Sequence, residues 1–146
     1  MKVKWDGAKM RYAVCALALF AMISCASERV RAEFATPARD VLSRDLTTED
    51  PSKCLVVVVR DSGFGGSGCK LRVMVDGESA ANLKPEEKVS LYLTPGEHVV
   101  EVTTNGGLCG NKMAGATIKL ERGVAKAYRV GFPASGDVAI YPTTLD

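Results

Sequence analysis

From Cys54 onward, apolar residues recur at every second position and turn-forming residues interrupt them at short intervals. That spacing predicts β-strands, whose side chains point alternately to the two faces of a sheet. The run CLVVVVR (54 to 60) is continuously apolar and is expected to form a central strand. KLRVMVD (70 to 76) alternates, with Leu71, Val73 and Val75 on one face, and Asp76-Gly77 then supplies a strong hairpin signal. A short strand over 79 to 83 follows; after Lys84-Pro85-Glu86-Glu87, KVSLYL (88 to 93) places Val89, Leu91 and Leu93 inward. Thr94-Pro95-Gly96-Glu97 is a turn, because proline presets φ and glycine accepts a positive φ. HVVEVTT (98 to 104), TIKLER (117 to 122), AKAYRVG (125 to 131) and DVAIY (137 to 141) complete about eight strands. No part of this body keeps a 3.6-residue period. The expected fold is all-β: a single immunoglobulin-like or transthyretin-like antiparallel sandwich of seven to eight strands over residues 54–146.

The N-terminal third has a different pattern. Lys2, Lys4, Lys9 and Arg11 precede an uncharged apolar run, YAVCALALFAMIS (12 to 24). A membrane-spanning helix needs about 20 apolar residues, so this run has the length of a secretory signal, and residues 1–24 are expected to be removed as one. The run ends at Met22-Ile23-Ser24-Cys25, which resembles the lipobox of bacterial lipoproteins. That resemblance implies diacylation of the Cys25 thiol, cleavage before it and acylation of the new amino group. Three acyl chains exceed the two signals that stable anchoring requires. Ala26 and Ser27 lack the aspartate that holds lipoproteins at the inner membrane, which implies the outer membrane, facing the periplasm. The alternative is a soluble secreted or periplasmic protein, cleaved after Ala26 or Ala32. Trp5 is the only tryptophan, so a processed chain should lack indole fluorescence. Residues 26 to 53 are polar and alternately charged, with Val30, Phe34, Val41 and Leu42 as scattered apolar positions, and are expected to form a flexible tether.

Between the first two predicted strands, Gly63, Gly65 and Gly68 spell G-x-G-x-x-G. A dinucleotide loop works because a helix follows it and offers its N-terminal amides to the pyrophosphate. Here the following segment, Cys69 to Val75, alternates and is β-branched, so it reads as a strand. Neither a nucleotide nor any other cofactor is expected, and the motif is taken as a permissive loop carrying Phe64 at its tip or tucked beneath it.

Five cysteines need fates. Cys15 leaves with the signal segment and Cys25 is the expected lipid site, which leaves Cys54, Cys69 and Cys109 in an oxidising compartment. In an up-and-down succession of strands the loops alternate between two ends. Loops 61 to 69, 84 to 87 and 105 to 116 then share the upper end, while Asp76-Gly77, Pro95-Gly96 and Arg122-Gly123 share the lower one. Cys69 and Cys109 fall together and are expected to form a disulfide; Cys54 starts its strand at the opposite end, as a buried thiol or an intermolecular partner.

The same parity bears on catalysis. His98, the single histidine, belongs to the lower end, whereas Asp61 and Ser62 belong to the upper one, a strand's length of roughly 17–20 Å away. A histidine-based triad is disfavoured, adjacent Glu86 and Glu87 read as a solvated turn, and no C-x-x-C spacing suggests a metal. From Cys25 onward 15 Lys/Arg face 16 Asp/Glu, which argues against nucleic acid as a partner.

Three stretches carry a wider resemblance: Arg60-Asp61-Ser62-Gly63-Phe64-Gly65-Gly66-Ser67, Val73-Met74-Val75-Asp76-Gly77 and Leu93-Thr94-Pro95-Gly96-Glu97-His98. Over about residues 54 to 130 the chain resembles small bacterial lipoproteins and secreted domains of unknown function with PEGA-like β-sandwiches. The resemblance implies no catalytic residues. The expected function is a non-enzymatic, lipid-anchored envelope module that binds a protein or envelope polymer through its upper loops, with Phe64, Leu108 and Met113 as the contact residues. The alternatives are a lipoprotein subunit of a secretion assembly, of the transthyretin-like kind, and a periplasmic enzyme inhibitor.

Overall fold

A computed structural model describes residues 26–146; the signal segment and Cys25, with the acylation expected there, lie outside the described residues. The elements in chain order are β1 (Thr36–Pro37), β2 (Asp40–Val41), α1 (Arg44–Thr47), β3 (Cys54–Arg60), β4 (Leu71–Val75), β5 (Glu78–Leu83), β6 (Glu87–Leu93), β7 (Gly96–Thr104), β8 (Met113–Leu120), β9 (Lys126–Gly131) and β10 (Ala139–Thr143). The eight strands expected from the alternation are β3 to β10. Together with β1 and β2 they form an all-β sandwich of two five-stranded sheets, ordered β1-β6-β3-β9-β10 and β2-β5-β4-β7-β8. Strand β8 begins four residues before the expected 117, because Met113 to Ala116, although free of β-branching, still pair with β7 from Val100 to Thr103.

The up-and-down parity holds, and it explains why the first sheet is mixed rather than purely antiparallel. Strands β3 and β9 both run upward and lie side by side as a parallel pair, with Val58 opposite Tyr128. The second sheet is antiparallel throughout. Its β4–β5 hairpin closes at Asp76-Gly77, where φ is +49° and +84°. Two consecutive positive φ values give the mirror-image turn whose twist matches paired strands.

Between the sheets lie Val56, Val58, Leu71, Val73, Leu83, Leu91, Val100, Val102, Leu120 and Val130, all buried. Val57 and Val59 alternate with Val56 and Val58, so they face the opposite side of the first sheet, yet they are buried too. Their cover is the segment expected to be a free tether. Ala32 and Ala35 pack with Val57, Val59 and Ala127 in a second, smaller core, and the Lys88 Nζ donates to the Ala32 carbonyl at 2.6 Å. Removing Val57 and Val59 from water stabilises this arrangement by about 1.5–3 kcal/mol for each side chain.

The segment 26–53 is therefore a strap rather than a stalk. Ser27 starts it at the end of β9, where its amide and hydroxyl donate to the Phe132 carbonyl at 2.9 and 3.0 Å. The strap then crosses the outer face of the first sheet and adds β1 to the edge of β6, Thr36 lying opposite Glu87. It passes to the second sheet as β2, with Asp40 opposite Asn82 of β5. Ser43 caps α1 by accepting from the Leu46 amide. The physical reason for the difference from a flexible tether is the two-sided apolar character of β3, which needs a partner on each face.

Candidate functional site

The upper end of the sandwich gathers the glycine loop between β3 and β4, the turn at 84–86, the loop between β7 and β8, and the start of the strap. Arg60, the last residue of β3, organises it. Its side chain is buried, and its guanidinium donates to the carbonyls of Leu83 at 2.6 Å, Gly66 at 2.7 Å and Cys69. Burial lowers its pKa to about 10, and the nearby Glu87 carboxylate opposes that shift. Arginine suits this position because its planar fork offers five donors in fixed directions.

Phe132, not Phe64, is the ring beneath the glycine loop. Gly66 has φ +67°, and a Cβ there would stand 2.3 Å from the Phe132 ring. Arg60 in turn lies 5.9 Å from that ring's centroid. The expected disulfide is present: Cys69 and Cys109 are joined, with their Cα atoms 5.8 Å apart, and it ties the glycine loop to the β7–β8 loop. Cys54 is a buried free thiol at the other end. The loop is thus fixed by a buried cation, an aromatic floor and a covalent cross-link.

On this rigid end the three expected contact residues stand in solvent: Phe64 is 87% exposed, Met113 67%, and Leu108 is fully exposed. Between the strap and the 84–86 turn, bordered by Ser62 of the glycine loop, opens a cleft of about 830 Å³. Arg29, Arg31, Arg39 and Lys84 line it, together with Phe34 and the acids Glu28, Glu86 and Glu87. Glu87 is turned inward, where its carboxylate accepts from the Lys84 amide at 2.9 Å, so the open wall carries more cations than anions. Arg31 lies over the exposed Phe34 ring at 5.8 Å.

The groups that suggested chemistry are otherwise engaged. Asp61 is buried and accepts from Arg129 at 2.6 Å and from the Val30 amide at 3.3 Å. Burial raises its pKa, against the pull of Arg129 and of the Val30 amide. His98 sits at the lower end, with Nδ1 2.6 Å from the Asp76 carboxylate and Nε2 2.8 Å from the Thr94 carbonyl. Two acceptors on one ring select the doubly protonated imidazolium. Burial works against that charge, and the hydrogen bonds and the Asp76 carboxylate outweigh it, so its pKa is raised. Among the described residues, no group of three or more His, Cys, Asp or Glu side chains is placed to hold a metal ion.

Phe132 and the strap residues Arg29, Arg31, Phe34 and Arg39 were not singled out as upper-end residues by the sequence pattern, and Arg60, legible only as the strand end before the glycine loop, pairs with three carbonyls rather than with an acid. The available signal was the LVVVV run, since a strand apolar on both faces requires a second cover. Compared with known protein families and with curated proteins, the chain matches none.

Proposed function

We propose that this chain is a non-enzymatic, lipid-anchored envelope module that binds a protein or envelope polymer through the upper end of its sandwich. The observation that carries the reading is the exposure of Phe64 and Leu108 on loops fixed by Arg60 and the Cys69–Cys109 disulfide, and of Met113 at the adjoining start of β8. Large apolar side chains held on rigid loops lose little entropy when a partner covers them, which favours association over chemistry. The lipobox-like Met22-Ile23-Ser24-Cys25 supports the anchor, and the resemblance to PEGA-like lipoprotein sandwiches, which implies no catalytic residues, supports a non-enzymatic role. The test is crosslinking in intact envelopes followed by pull-down of the tagged full-length chain. A Phe64→Ala/Leu108→Ala variant should lose the partners that the wild type retains, while keeping its thermal midpoint. Equal recovery by both proteins would count against the upper end as the binding surface.

A further inference from the structure

The strap fixes where an anchor at Cys25 would have to emerge. Ser27 is held to Phe132 by its amide and hydroxyl, and the Glu28 amide donates to the Ser62 carbonyl at 2.8 Å, while Ser62 returns its amide to Glu28 at 2.9 Å. A Cβ on Gly63 would stand 3.1 Å from the Ser27 Cα and 3.3 Å from the Ala26 carbonyl. Gly63 directly precedes Phe64, and Cys25 directly precedes Ala26. Consecutive Cα atoms are 3.8 Å apart, so chain connectivity alone keeps the Cα of an acylated Cys25 within roughly 15 Å of the Phe64 Cα. No slack remains for a stalk.

We infer that the upper end docks on the bilayer surface itself, with Phe64 inserted at the headgroup boundary and the strap cations against anionic lipid. This rests on the lipid anchor of the proposed function and gives Phe64 the bilayer as its contact, leaving Leu108 and Met113 to meet a protein or polymer partner. An acylated cysteine lies at the membrane interface, and an exposed apolar ring tethered within roughly 15 Å of it can reach the zone, about 5–10 Å deep, where amphipathic surfaces bury their apolar side. Charge fits as well. Arg31, Arg39 and Lys84 are exposed in the cleft that opens at this end, and juxtamembrane cations are attracted to anionic headgroups. The far end, carrying Val124 and the His98–Asp76 pair, is then directed away from the membrane.

The absence of any tryptophan after Trp5 makes the test direct. Full-length Phe64→Trp and Val124→Trp proteins are expressed in a bacterial host, purified from membranes and checked by intact mass for acylation at Cys25. They are then reconstituted into phosphatidylethanolamine–phosphatidylglycerol vesicles with brominated acyl chains. The indole at position 64 should shift to the blue and be quenched by the bromines, as expected of a ring about 5–10 Å deep at the interface, while the one at 124 should be unaffected. Acylated protein whose two indoles respond alike would overturn the docking and leave the anchor standing. A mass without acyl chains would overturn the anchor and the docking with it. Quenching at position 64 that is as strong in phosphatidylcholine vesicles would overturn the part assigned to the cations.

Discussion

At the lower end of the sandwich the chain reverses in two residues at Asp76-Gly77 and again around Pro95-Gly96. At the upper end it spends residues 61–70 between β3 and β4 and residues 105–112 between β7 and β8. The lower turns are specified locally: Asp76-Gly77 takes the paired positive φ values that an Asp-Gly turn favours, and Gly96 takes φ +136°, which glycine reaches without a Cβ penalty. The upper loops have no such local preference, and their conformation comes from Arg60, Phe132 and the disulfide. The contrast shows how a small domain divides its work. Local turn chemistry closes one end, and long-range contacts shape the other into a defined surface.

This contrast can be tested by loosening each end in turn. The largest effect should come from Cys69→Ser/Cys109→Ser, because the cross-link spans 40 residues. On chain-entropy grounds its loss costs about 4 kcal/mol. A large drop in the urea midpoint, matched by reduction of the wild type, checks this. Next comes Arg60→Leu, which strands the carbonyls of Gly66, Leu83 and Cys69 in the interior. A loss of about 3 kcal/mol in equilibrium unfolding is expected. Gly66→Ala should cost about 1–3 kcal/mol, through its positive φ and the collision with Phe132, whereas Gly68→Ala, whose Cβ would meet nothing within 4 Å, should be nearly neutral.

The smallest effect belongs to the lower end and depends on pH. The pKa of His98 is raised in the folded state, so its contribution to stability is complete below the unfolded value of about 6.5 and is lost as pH rises through the folded value. Asp76 is shifted downward, first by the Val99 amide and then by His98, so its contribution is complete above about 3.9 and is lost as pH falls through its folded value. The pair is therefore strongest in mildly acidic solution. His98→Ala should remove the loss seen as pH rises and leave most of the acid-side loss, which the Val99 amide sets, at a cost under about 1 kcal/mol, measured as thermal midpoint against pH.

The strands were legible because alternation is a short-range signal: Leu71, Val73 and Val75 announce their face from neighbouring positions. The disulfide was legible because parity needs only the order of strands. The strap was not. Its anchors, Ala32 and Ala35, are small residues in a charged segment, and burial of an alanine leaves little trace in a hydropathy pattern. The role of Arg60 was hidden for a related reason. A charged residue at a strand end usually reaches solvent or an acid, and only the folded loop turns three carbonyls toward it. The cleft was missed with them, because the strap forms one of its walls.

The strap has one more consequence. With two residues each, β1 and β2 sit along the otherwise unpaired borders of β6 and β5, and naked borders of that kind invite other chains to hydrogen-bond. Clipping the arm away before Cys54 would bare both at once, next to a greasy stripe of valines. Light scattering should find that such a remnant clumps at concentrations where the intact protein stays dispersed, so the arm also serves as the molecule's safeguard against its own kind.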